Sequence, residues 1–137
     1  MRNRVAIICL IFFISCGERN NYIPDVFVNH EIDLNSPENI SLSALGGSLI
    51  IENQGYNGLI VYRFSNYEYH VYDKSCTYEP LTTCAEIDSI SSSLAICNCC
   101  SSVFLLDQDG SVANGPAILS LKRYSTFLDG NMLFISN

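Results

Sequence analysis

The chain has 137 residues, 48% of them apolar and 15% charged, with 7 basic against 14 acidic side chains and a formal charge of −7. That apolar content argues for a folded core and against disorder, and the length fits one domain with a short extension. The acidic balance speaks against nucleic acid and against anionic lipid head groups as partners.

The first elements are two basic residues, Arg2 and Arg4, and an apolar run from Val5 to Ile14. This is the pattern of a secretory signal, and the run falls well short of the roughly 20 residues that cross a bilayer. Ser15 then precedes Cys16, followed by Gly17-Glu18-Arg19-Asn20-Asn21. The segment resembles the lipobox of bacterial lipoproteins, with Phe13 where those usually carry leucine. The resemblance implies cleavage before Cys16, lipid on that cysteine, and a place in the bacterial cell envelope at a periplasmic or outer-membrane surface. Several acyl chains suffice for stable anchoring where one is marginal. The expected division is residues 1–15 as lipoprotein signal peptide, 16–25 as lipidated, flexible tether and 26–137 as a β domain.

Further along, helical periodicity is nearly absent. One candidate, Glu38 to Leu45 after Ser36-Pro37, is a turn of helix at most. Ser48 to Glu52 follows Gly46-Gly47, and Gly58 to Phe64 follows Asn57. Tyr67 to Tyr72 comes next across the short link Ser65-Asn66, so these two runs read as a hairpin. Thr82 to Ser93 is small and polar, which suits a loop. Val103 to Leu106 leads into Asp107-Gln108-Asp109-Gly110 and Ser111-Val112, and Arg123 to Leu128 and Asn131 to Ile135 flank Asp129-Gly130. Short strands punctuated by turn residues predict an all-β fold, an antiparallel sandwich or barrel.

Seven cysteines are present. Cys9 leaves with the signal and Cys16 takes the lipid, so five thiols remain: Cys76, Cys84, Cys97, Cys99 and Cys100. They sit on two loops, Lys74 to Cys84 and Cys97 to Ser102. Exported proteins usually commit cysteines to disulfides, yet five is odd and leaves one over.

The downstream run C-x-C-C-S-S-x-F is followed by D-x-D-G-S-V, N-G-P-A and L-x-x-Y. It resembles the C-terminal half of Rieske iron–sulfur domains, and Val71 to Tyr78 resembles their first cluster loop. The likeness spans roughly Gly58 to Ile135 and implies a Rieske-type β-sandwich with two cysteine-bearing loops. Position by position, it implies Cys76 and Cys97 as cysteine ligands, with Tyr78 and Cys100 where the family carries histidine. It also implies a disulfide between Cys99 and Cys84, Ser102 as a hydrogen-bond donor to the site, and Gly115-Pro116-Ala117 as the loop that covers it. Two histidines exist elsewhere. His30 precedes the core pattern, and His70 lies mid-strand between aromatics, where a packed or surface role is the expectation.

Three uses of the thiols remain open. Disulfides can staple the loops, with Cys84 joined to Cys99 and Cys76 to Cys97 or Cys100. Alternatively Cys76, Cys97 and Cys100, with Cys84 or Cys99 as a fourth donor, suit zinc or an all-cysteine 2Fe-2S cluster. Thiol exchange at Cys97-Asn98-Cys99-Cys100 finds no cationic neighbour within the loop to activate it. No catalytic motif emerges, since the acidic pairs Glu86/Asp88 and Asp107/Asp109 lie in a loop and a turn. The expectation is a membrane-anchored, non-catalytic structural or binding module, the alternative an electron-transfer or metal-binding protein. Partners would be the membrane, through the lipid, and an envelope redox or structural protein. Tyr56, Tyr62, Tyr67, Tyr69 and Tyr72 could face such a partner, although alternating strand tyrosines more often cover a sheet.

Overall fold

The structure, a computed structural model, describes residues 22–137. The expected signal peptide, the expected lipidation site Cys16 and the first part of the expected tether lie outside the described residues. Runs of β-branched and aromatic residues form ten strands: β1 (Asn29–Asp33), β2 (Ser48–Ile51), β3 (Leu59–Arg63), β4 (Tyr69–Asp73), β5 (Ser89–Ser91), β6 (Leu94–Cys97), β7 (Ser102–Leu105), β8 (Ser111–Asn114), β9 (Arg123–Asp129) and β10 (Met132–Ser136). A 3-10 segment, Pro37–Ser43, stands where a single helical turn was expected.

The strands make two antiparallel sheets, one of six strands in the order β1-β10-β9-β4-β3-β2 and one of four, β5-β6-β7-β8. Strands β3 and β4 are buried on both faces because each serves two cores. Ile60, Tyr62 and Tyr72 pack with Ala95, Phe104 and Leu106 of the small sheet. Leu59, Val61 and Val71 point the other way, to Ile32, Leu42, Leu133 and Ile135. Side chains on a strand alternate between faces, so four successive buried residues, Leu59 to Tyr62, mean that both faces of β3 are covered. The large sheet curls, and its edge strands β1 and β2 face each other across a groove lined by His30, Ile32, Leu49 and Ile51.

Several expectations are corrected by this architecture. The β3–β4 link is not Ser65-Asn66 alone: Arg63 pairs with Tyr69, and both Phe64 N–H and Ser65 N–H donate to Glu68 O (3.0 Å each). Tyr67 is therefore an exposed turn residue and not part of a strand. The polar stretch 82–93 contains β5, held by pairing to β6 across the Ser92-Ser93 turn. In the last hairpin Asp129 pairs with Met132, so the turn is Gly130-Asn131, one residue beyond Asp129-Gly130, with Gly130 at φ 56°. His30, placed before the core pattern, lies on β1 opposite Ile135.

Register also fixes which ends coincide. Asn29 pairs with Ser136, Ser136 with Ser125 and Tyr72 with Arg123. The start of β1, the start of β9 and the end of β4 thus share one end of the large sheet, from which the first cysteine loop departs. There Lys122 Nζ donates to Pro24 O (3.0 Å) and Asp25 Oδ1 (2.7 Å), and Ile23 and Val28 are buried. The packed chain accordingly begins before residue 26.

Candidate metal centre

A buried carboxylate at the end of β4 sets the first cysteine loop. Asp73, fully buried, accepts hydrogen bonds from Ser75 N (3.0 Å), Ser75 Oγ (2.5 Å), Tyr56 N (2.7 Å) and Tyr124 Oη (2.8 Å). Such a group is tolerated because these donors replace its hydration. The loop then folds back on itself, with Cys76 N donating to Ala85 O (2.9 Å) and Ile87 N to Lys74 O (2.7 Å). Cys76 is turned inward and fully buried as a result.

The second loop links β6 to β7. Cys97 closes β6 and pairs with Ser102, which opens β7. Asp88 holds the turn through Asn98 N (3.0 Å) and Asn98 Nδ2 (2.6 Å), and Ser101 takes a left-handed φ of 62°. This reversal brings Cys100 back beside Cys97. Cys84 and Cys99, both exposed, form a disulfide that ties one loop to the other.

Three thiols remain free among the described residues, Cys76, Cys97 and Cys100, and their sulfurs converge. Cys100 Sγ lies 3.5 Å from Cys76 Sγ and 3.5 Å from Cys97 Sγ, and all three sulfurs are within 4.8 Å of one another. A backbone N–H faces each: that of Tyr78 toward Cys76, of Cys100 toward Cys97 and of Ser102 toward Cys100. Burial raises the Cys76 and Cys97 thiols above the usual range. Burial acts the same way on Cys100, but the Ser102 hydroxyl, the Ser102 N–H and the two neighbouring thiols outweigh it and bring Cys100 below the usual value. The loop lacks a cation, as its sequence implies; dipoles and hydrogen bonds do the activating.

A third segment, residues 115–119, packs against both cysteine loops. Ala117 N donates to Ser102 Oγ (3.1 Å), itself 3.1 Å from Cys100 Sγ. Gly115, at φ 99°, passes so near that an added Cβ would stand 2.5 Å from Ser102 Cα. Thr77 Oγ1 donates to Leu119 O (2.5 Å), fastening the same segment to the first loop. Pro116 is exposed on its outer side.

The chain matches no family model and no curated protein. Among solved structures it is similar to a chain from the complex of reduced oxygenase and oxidized ferredoxin in carbazole 1,9a-dioxygenase, with a TM-score of 0.50 and 16% identity over 67% of this chain and 82% of that one. The fold is Rieske-like. At that identity the likeness speaks for the fold alone, and the chemistry must be argued from the side chains of this chain.

Those side chains do not fit a Rieske cluster, which needs two imidazoles on one iron. His70 is buried away from the thiols: its ring stacks on Phe64 (4.4 Å between centroids), and its nitrogens meet Leu106 O (3.1 Å) and Glu68 Oε1 (3.0 Å). An all-cysteine cluster needs four thiolates. Cys84 and Cys99, each considered as the fourth donor, are spent on each other. The gathered sulfurs match a single ion better. Zinc–sulfur bonds of 2.3 Å at tetrahedral angles put sulfurs about 3.8 Å apart, close to the separations here. Asp73, Asp88 and Thr77, which shape the loops, carried no sequence signal, since each looks like an ordinary solvated turn residue.

Proposed function

We propose that the chain is an exported, lipid-anchored, non-catalytic module of the bacterial cell envelope whose Rieske-like domain binds one thiophilic metal ion, zinc being the plainest candidate, through Cys76, Cys97 and Cys100. The observation that carries this reading is the convergence of three unbridged sulfurs beside a formed disulfide. Thiols that serve only as small core residues have no need of a backbone N–H aimed at each sulfur. Thiolates on a metal do, because those dipoles offset their charge. Three protein ligands leave one coordination position for water or an exchangeable donor. Lewis-acid polarisation is the chemistry such an ion supplies; the chain's own part is to hold three thiolates and to limit water through the 115–117 segment.

The test is elemental analysis of the natively exported, untagged protein, followed by competition with a chromophoric chelator. One tightly held ion per chain is the expected result. A colourless, metal-free protein that takes up neither zinc nor iron after anaerobic reduction overturns it. The second reading is a purely structural module, favoured by the Cys84–Cys99 bridge. It requires a further bridge among Cys76, Cys97 and Cys100, and hence four of five mature thiols oxidised in non-reducing mass spectrometry.

A further inference from the structure

The described chain starts at the same end of the domain as the cysteine loops. Tyr22 lies within the field of Asp25 and Asp73, and Lys122, the residue before β9, grips Pro24 and Asp25. Asp73 closes β4 and immediately precedes the first cysteine loop; Lys122 lies three residues after Leu119, where the 115–119 segment is fastened to that loop. Tyr22, the first described residue, therefore sits at the end of the domain that holds the candidate metal centre.

That end carries exposed apolar side chains on the segments bordering the site. Ile118 is 77% and Leu81 68% exposed, with Leu119, Tyr78 and Tyr22 partly so. Exposed apolar residues also occur at the opposite end, where Tyr67 is 86% exposed. What separates the two ends is the length of chain available. Cys16 and Tyr22 are six residues apart, and six residues reach at most about 22 Å. From Tyr124, at the Tyr22 end, to the Gly130 turn at the opposite end is about 20 Å of extended strand. To set the Tyr67 end on the bilayer, the tether would have to run fully stretched along the whole side of the domain. To set the Ile118 end there, it needs almost none of its length.

We propose that the cysteine end of the domain rests on the bilayer that holds Cys16, with Leu81, Ile118 and Leu119 in its interfacial layer and the metal centre facing the membrane. This rests on the lipid-anchor reading above. Its occupant is a bilayer of low charge, because the acidic chain is repelled by anionic head groups. A centre so placed exchanges ions or partners at the membrane surface, not from the open compartment.

The chain has no tryptophan, so single reporters are clean. The lipidated full chain carrying Ile118→Trp or Tyr67→Trp is reconstituted into phosphatidylcholine vesicles with and without acyl-chain bromine. Several-fold quenching of the Ile118→Trp signal, with the Tyr67→Trp signal unchanged, is the expected result. A Leu81→Trp reporter should be quenched likewise and should lose its quenching when Ile118 and Leu119 are both changed to Asp, while Cys16 keeps its lipid. A lipidated chain in which both ends are quenched alike, or neither is, overturns the orientation and leaves the anchor standing. A tip that stays in water in these protein-free vesicles rules out the bilayer as its occupant. Mass spectrometry showing Cys16 without acyl groups overturns the anchor and the orientation together, and identifies that failure separately.

Discussion

The Cys100 sulfur stands 3.5 Å from the Cys76 sulfur although 24 residues separate them in sequence. The gap is too long for a disulfide, near 2.0 Å, and close to the edge of a tetrahedral thiolate site. If the three sulfurs share an ion, Cys100→Ser should remove a ligand and Ser102→Ala only an outer-shell hydrogen bond. Loss of such an outer partner typically weakens binding roughly 10–100-fold. Chelator competition should therefore rank wild type, then Ser102→Ala in that range, then Cys100→Ser weaker than both. Equal affinities for all three would remove Cys100 from the site.

The Cys84–Cys99 bridge closes a loop with a sequence separation of 15. Cross-linking a loop of that size is worth about 3 kcal/mol through the unfolded chain. Both cysteines are exposed, so truncation should leave no core cavity to add to that figure. The double variant Cys84→Ala/Cys99→Ala should lower unfolding free energy in urea by about that amount. It should also match the stability of the wild type measured with a reductant.

Gly115 combines a left-handed φ of 99° with a neighbour that leaves no room for a side chain. Gly115→Ala should cost about 1–3 kcal/mol in backbone strain alone, and the clash with Ser102 adds to it. Displacing Ser102 also disturbs the hydrogen bond beside Cys100, so metal affinity should fall together with stability. Gly130→Ala is the contrasting variant: an added Cβ there meets nothing within 4 Å, and only the strained φ should be felt, with metal affinity unchanged.

How legible each part of this fold is in the sequence depends on where the element finds its stabilisation. β3, β4, β9 and β10 carry apolar residues bounded by turn residues, so local pattern suffices to find them. β1 reads Asn-His-Glu-Ile-Asp, with one buried residue, Ile32; what holds it is pairing to β10, about a hundred residues away. β5 is Ser-Ile-Ser and owes its extension to β6. The cysteine positions stood out because five thiols cannot all pair, and the likeness to Rieske domains drew attention to Gly115 and Ser102, which the structure brings into contact. The Asp73 carboxylate left no trace, because its importance comes from donors on three separate segments. The lowering of the Cys100 thiol left no trace for the same reason: it comes from the Ser102 hydroxyl and N–H together with two thiols that the fold brings alongside.

Tyr124 links this core to pH. Burial first, then the hydrogen bond to the Asp73 carboxylate and the charge of that group, hold its phenol well above the usual range. Burial does the same for Tyr72. Unfolded tyrosine titrates near pH 10, so above that pH the unfolded chain holds fewer protons than the folded one. The stability that these tyrosines contribute is then fully present below pH ~10 and falls as pH rises toward the folded values. Tyr124→Phe removes one of the groups responsible, leaving Tyr72, Tyr62 and Tyr22, which burial also raises. At neutral pH it should cost about 1.5–3 kcal/mol, the worth of a hydrogen bond to a charged group. Its unfolding free energy should nevertheless fall less steeply than that of the wild type in urea titrations above pH ~10. Parallel decline in the two proteins would show that Tyr124 is not a source of the alkaline instability, and would leave that role to the other raised tyrosines.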